Sequence, residues 1–311
     1  MKLSFATFLL LLLFQSIVWS QRKVAITIDD IPNTRLYKEK QFESKLLKQL
    51  DSLSIPIAIF INERLIYKKG SVDQNFMLLH DWFQRDYITL GNHTFSHPKY
   101  SSVGIEQFEK DIIKGNYISK ELAKLYDKPL HHFRFPYNDL GKDSLQHITM
   151  RSFLDSVGYS ITPFTIESMD WMFNKVYETY LEQGDTSKAA YIGQQYVATT
   201  IAFFGFFEQL SDQFYGRSVH HIYLCHDNQI NAEYLKDIIS QLKAKEYEFI
   251  SLDDALTDPI YDQKDQYYQN RGISWIYRWM QNREERIGWM RKEPDTREIE
   301  EFYREIIERK E

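Results

Sequence analysis

The sequence predicts an α/β fold of parallel βα units, wound into a barrel or a sheet. Three observations carry that expectation. Short apolar runs rich in β-branched residues alternate with amphipathic helical stretches from residue 24 to 252. About seven of these runs read as strands, and most are followed by a helix. The polar residues with chemical potential fall just past the strand-like runs, where βα folds gather their active sites.

The elements follow in order. Val24–Ile28 (VAITI) reads as a buried strand. Glu39–Leu53 carries Phe42, Leu46, Leu47, Leu50 and Leu53, a helical apolar stripe. Pro56–Ile61 is a second strand, Asp73–Arg85 a helix and Tyr87–Leu90 a third strand. Ile105–Tyr126 reads as one long amphipathic helix with Phe108, Ile112 and Ile113 inward. His132–Phe135 is strand-like, and Asp143–Val157 is a helix stopped by Gly158. Tyr159–Ile166 and His220–Leu224 are strands, Ala232–Lys245 a helix, and Glu248–Leu252 closes the series. Two regions interrupt it: a long aromatic, helical stretch at 174–217, read as an insertion, and a tail after Asp258 that carries WIYRWM and a charged helix over Thr296–Lys310.

Composition narrows the function classes. The 311 residues are 43% hydrophobic and 26% charged, enough for one large domain or two small ones. A net charge of -6 provides no basic face, so nucleic acid is not an expected partner. Residues 1–20 read as a secretory signal: Lys2, an apolar run over Phe5–Val18, and Val18 and Ser20 before the cleavage point. The run is short for a membrane span, which needs about 20 apolar residues. An exported protein, periplasmic or secreted, with no stable membrane insertion after cleavage is expected. The single cysteine, Cys225, excludes an intrachain disulfide.

The residues past the strands are Asp29-Asp30, then Asn92, His93 and His97, then Arg134 with Pro136-Tyr137, then Asp170-Trp171, then His226-Asp227. Each has an ordinary structural reading: turn chemistry for the aspartates, a surface arginine, a core histidine. His93 and His97, spaced i, i+4, would share one face of a helical turn and offer two imidazoles to one ion. In a chain of nine histidines that pair alone establishes nothing. The joint occurrence, in order and in one tier, does point to a site.

Five motifs in that tier resemble those of the polysaccharide deacetylases, carbohydrate esterase family four. They are TIDD (Thr27–Asp30), HTFSH (His93–His97), RFPY (Arg134–Tyr137), Asp170-Trp171 and LCH (Leu224–His226), all in the family's order. The resemblance covers about 23–256. Ile31 and Asn138 stand where the family usually has glycine, and Glu167 where it has aspartate. The resemblance implies a distorted (β/α) barrel of about seven parallel strands. It leaves the helical insertion before the last catalytic strand partly, and the C-terminal helical tail wholly, unexplained. The expected division is a catalytic domain over 21–258 and a helical extension over 259–311. The resemblance further implies that Asp30, His93 and His97 ligate a divalent metal, zinc first, with cobalt, nickel or manganese as alternatives. Asp29 would then be the base, oriented by Arg134. The Tyr137 backbone N–H would stabilise the oxyanion, and His226, paired with Asp170, would be the acid. The expected reaction is hydrolytic removal of acetyl groups from an N-acetylated polysaccharide or peptidoglycan. Two rival readings are hydrolysis of another non-peptide C–N bond and a non-catalytic glycan-binding protein on the same scaffold. Trp171 is a candidate for a sugar subsite or for the core. Asn92-His93-Thr94 also fits a glycosylation pattern, discounted because a glycan there would block the site.

Overall fold

The computed structural model describes residues 21–35, 43–68 and 70–308. The expected signal sequence, the start of the expected helix at Glu39, and Lys310 lie outside the described residues.

One curved parallel sheet organises the chain. Its seven main strands are β1 (Lys23–Ile31), β2 (Ile57–Ile61), β3 (Ile88–Asn92), β4 (Leu130–Phe133), β5 (Ser160–Ile161), β6 (Ile166–Glu167) and β7 (His220–His226). They lie in the order β5-β4-β3-β2-β1-β7-β6. A short β8 (Glu248–Phe249) pairs with the first residues of β1. The sheet curls into an incomplete barrel, so the expected distorted (β/α) barrel is what the chain forms. β1 runs through its centre, buried on both faces, as its unbroken apolar run requires.

The helices cover the outer face: α1 (Lys45–Leu53), α2 (Val72–Phe83), α3 (Tyr100–Val103), α4 (Ile105–Lys114), α5 (Tyr117–Leu125), α6 (Ser144–Ser156), α7 (Asp170–Glu182), α8 (Thr186–Tyr215) and α9 (Gln229–Ala244). Inside the barrel Ala25, Ala58, Phe60 and Ile222 pack on Leu252 and Ala255 of the short helix α10 (Leu252–Leu256), which plugs the lower mouth. The tail contributes α11 (Trp275–Trp279), α12 (Arg283–Met290) and α13 (Arg297–Glu308).

Three expectations are corrected. The single helix over Ile105–Tyr126 breaks at Gly115-Asn116. A Cβ on Gly115 would lie 2.4 Å from the Thr94 carbonyl carbon, so the helix end abuts the loop carrying the histidines. The strand over Tyr159–Ile166 splits into β5 and β6, which pair at opposite edges of the sheet. Pro163 sits between them, and the chain crosses the open side there. Thr162 N–H donates to Phe133 O at 2.7 Å and Thr165 N–H to Ile222 O at 2.9 Å. The last strand is only Glu248–Phe249, since α10 begins at Leu252.

The tail closes that open side. Trp275 N–H donates to Phe164 O at 2.9 Å, and Ser274 Oγ donates to Thr165 O at 2.6 Å. The aromatics of 177–215 mostly pack inward: Tyr177, Tyr196, Phe203, Phe204 and Phe207 are buried. They form core.

Candidate active site

Regular β-structure would send Asp29 and Asp30 to opposite faces. Here β1 is irregular against β2: Ile28 pairs with Ile59 but Ile31 with Ile61, and Asp30 adopts φ 63°. The extra residue re-aims the pair, and both carboxylates face the cleft at the upper mouth. Ile31, where glycine is usual, is fully buried against the core.

The histidine pair is not on a helical turn, contrary to the expectation. Residues 93–97 form an irregular loop with Thr94 at φ 67° and His97 at φ 56°. Side chains and helix α4 hold it. Thr94 N–H donates to Asn92 Oδ1 at 2.6 Å, and His97 N–H to Thr94 Oγ1 at 3.1 Å. Asp111 accepts from Ser96 N–H and Ser96 Oγ, each at 2.8 Å. The loop still brings both rings together, with centroids 4.9 Å apart. Asn92 is 1% exposed and bonded to Ile112 O, so no glycan fits on it.

His97 Nε2 lies 3.6 Å and His93 Nε2 3.9 Å from Asp30 Oδ1. The ligand atoms of the three residues all lie within 4.8 Å of one another. Two donors roughly 2.0–2.2 Å from one tetrahedral ion lie roughly 3.3–3.6 Å apart, so the His97 spacing fits a shared cation and the His93 spacing is slightly longer. His93 Nδ1 lies 2.8 Å from Arg134 O. A carbonyl only accepts, so Nδ1 carries the proton and Nε2 keeps its lone pair toward Asp30. Burial pushes the His97 imidazole down to about 4, keeping it neutral as a ligand must be. Burial pushes the Asp30 carboxyl up, but His97, His93 and His226 together outweigh it, and the group ends below its ordinary range. The donor set therefore fits a divalent metal.

Two charged pairs flank the cluster. Asp29, 2% exposed, accepts from Arg134 Nη1 at 2.8 Å, while its Oδ2 lies 3.8 Å from His93 Nε2. Arg134 is fully buried, donates to Thr27 Oγ1 at 2.7 Å and stacks over Phe60 at 4.2 Å. On the other wall, His226 Nδ1 meets Asp170 Oδ1 at 2.7 Å. Burial opposes charge on His226, but Asp170 overrides it and holds the imidazole at about 10. Parallel register sets the two walls side by side, Asp29 pairing with His226 across β1 and β7.

Of the eight expected residues, Asp29, Asp30, His93, His97, Tyr137 and His226 line one cleft of about 1250 Å³. Arg134 and Asp170 stand behind and brace it. Tyr137 has φ 59° and its ring lies against His97 at 4.6 Å. Asn138 has φ 50°, a conformation that asparagine tolerates better than most residues, which accounts for it in place of glycine. Trp171 is 46% exposed, lines the cleft and meets Tyr303 edge-on, so it is not core.

Sequence reasoning missed the support behind Asp170. Asn228 and Asn231 each donate to its Oδ2, at 2.9 and 2.6 Å. Glu167 also lines the cleft, and burial next to Asp170 pushes its carboxyl up to about 7. Gly272 of the tail reaches the rim, with its missing Cβ position 2.4 Å from Tyr137 O. Nothing in the local sequence around 272 announces that contact.

Part of the chain matches known proteins. The family model described as polysaccharide deacetylase matches residues 19–151. A peptidoglycan-N-acetylglucosamine deacetylase from Bacillus cereus is 24% identical over 153 residues, 49% of this chain and 48% of that protein. The chain thus spans about half the length of that curated relative. Among solved structures, Bacillus subtilis PdaA, a family 4 carbohydrate esterase, matches with 19% identity and a TM-score of 0.46, over 76% of this chain and 81% of that one. A Bacillus anthracis pseudoenzyme of the same family matches with 14% identity and a TM-score of 0.48, over 76% and 66%. Over residues 19–151, which hold three of the five motifs, this chain is similar to the polysaccharide deacetylases.

Proposed function

We propose that this protein is an exported hydrolase that removes acetyl groups from an N-acetylated glycan, with a divalent metal held by Asp30, His93 and His97. One observation carries the reading: the carboxylate–imidazole cluster lies between two differently charged pairs, Asp29–Arg134 and His226–Asp170, in a single cleft. When bound, the ion would supply Lewis acidity, activating water and polarising the acetyl carbonyl. Zinc suits the N2O donor set, with cobalt, nickel or manganese as alternatives.

The chain's own groups do the rest. Arg134 fixes one oxygen of Asp29, leaving the other toward the cluster to take the proton of the attacking water. The Tyr137 N–H donates to the developing oxyanion. Asp170 binds the Nδ1 side of His226, so Nε2 presents its proton to the departing amine. Water oxygen bonds to the acetyl carbon, the C–N bond breaks, and the products are acetate and a free amine. The cleft exceeds the roughly 300–1,000 Å³ of ordinary small-molecule pockets, which suits an extended glycan. Among the described residues no helix is long and apolar enough to cross a membrane. Export rests on the sequence pattern of residues 1–20.

Acetate release from chitooligosaccharides, peptidoglycan and acetylated xylan, with zinc or cobalt supplied, tests this. Release that stops on chelation and returns with metal is expected. Glycan binding without release from any of the three would instead make the protein a glycan-binding module.

A further inference from the structure

A second carboxylate–imidazole cluster lies at the lower mouth of the barrel, and it does not rest on the deacetylase reading. β4 carries two consecutive histidines, His131 and His132. In a regular strand they would point to opposite faces. Against β3, however, Leu90 pairs with Leu130 and Gly91 with His132, so His131 is the extra residue of a bulge. Bulges re-aim side chains. This one turns both rings to the same side, with centroids 4.1 Å apart. Both converge on one oxygen. His132 Nε2 lies 3.0 Å and His131 Nε2 3.5 Å from Asp253 Oδ1.

Asp253 belongs to α10, the helix that plugs the barrel floor through Leu252 and Ala255. A salt bridge between the plug and β4 needs only one histidine. Placing a second ring on the same oxygen adds nothing to such a bridge, and two protonated rings this close would repel. Two imidazoles with a carboxylate are a metal donor set; the His131–Asp253 spacing falls within the roughly 3.3–3.6 Å expected around one tetrahedral ion, and the His132–Asp253 spacing lies just below it. His132 Nε2 bonds Asp253 Oδ1 at 3.0 Å, and its Nδ1 faces the Thr162 hydroxyl at 3.5 Å, which accepts as readily as it donates, so the ring proton has a second partner at Nδ1 when an ion takes Nε2. His131 and Asp253 are half-exposed, so an ion can enter from solvent.

We propose that His131, His132 and Asp253 form a second divalent-cation site, selective for a first-row transition ion such as zinc, which clamps the plug helix α10 to β4.

Metal content distinguishes this site from the one at the upper mouth. After dialysis against buffered zinc, elemental analysis of the full chain is expected to give two equivalents. Asp30→Ala should retain one, and Asp30→Ala with Asp253→Ala should retain none. Zinc should raise the Tm of Asp30→Ala and leave that of the double variant unchanged. Asp253→Ala alone should lose one equivalent while acetate release stays within twofold. The proposal is overturned if Asp30→Ala binds no zinc, or binds it equally with Asp253 and His131 both replaced. Should Asp30→Ala fail to fold, Asp253→Ala in the otherwise intact chain decides: one equivalent less than the parent supports the site, and equal content refutes it.

Discussion

Asp170 sets what His226 can do. The carboxylate accepts the ring's Nδ1–H, the His226 N–H, and the amides of Asn228 and Asn231, so it is fully engaged and held in one orientation. Its charge raises the His226 pKa from the ordinary value of 6.5 to about 10. A raised pKa keeps the imidazolium, the acid form, at neutral pH, and the acid is lost as pH climbs through that value. A bound cation would oppose the shift by its own charge, moving the alkaline limb of the metal-loaded protein downward. Asp170→Asn removes the opposing charge, and the alkaline limb of the rate profile should move down by about 1–3 units. A pH–rate profile of acetate release checks this; an unmoved limb would show that His226 is not the acid.

Two substitutions separate the proposed ligand from the proposed acid. Asp30→Ala removes one of three proposed donors and should strip the upper site of metal. His226→Ala touches no donor and should leave its metal in place while turnover falls about 10²–10⁴-fold. Metal analysis beside kinetics on both variants reads the difference. Normal turnover in His226→Ala would reassign the acid.

Among the elements, irregular backbone does more than regular structure to build the site. The bulge in β1 turns Asp29 and Asp30 into one cleft, and the 93–97 loop, rather than a helix, converges the imidazoles. The tail segment before α11 reaches the same rim, where Gly272 meets the Tyr137 carbonyl. A Cβ there would lie 2.4 Å from that oxygen and 2.9 Å from Asn138 Cβ, so Gly272→Ala must displace the Tyr137 peptide. The expected result is a fall in kcat of about tenfold or more, the scale of a misplaced oxyanion donor, with zinc content unchanged. Equal kcat in parent and variant would separate the tail from catalysis.

For the molecule as a whole, the incomplete barrel explains which expectations held. The alternation of apolar runs and amphipathic helices was legible because burial on both sheet faces demands it locally. The tier of polar residues was legible because parallel strands all end at the same mouth. The break at Gly115 was not, since its cause is the Thr94 backbone, remote in sequence. Nor was the split of 159–166, whose two halves find partners at opposite edges of the sheet. Asn228 and Asn231 could have been suspected from their place just after His226, but only the fold shows that they bond Asp170.

By itself the sequence determined the parallel α/β architecture, the order of its motifs and the identity of the groups at the upper mouth. Those depend on residue type and local periodicity, which a chain carries in its letters. Only the tertiary structure decided that the histidines meet on a loop, that a bulge turns adjacent aspartates together, and that the tail seals the open side of the barrel. Each of these is fixed by contacts between segments many residues apart, and no local pattern encodes such contacts.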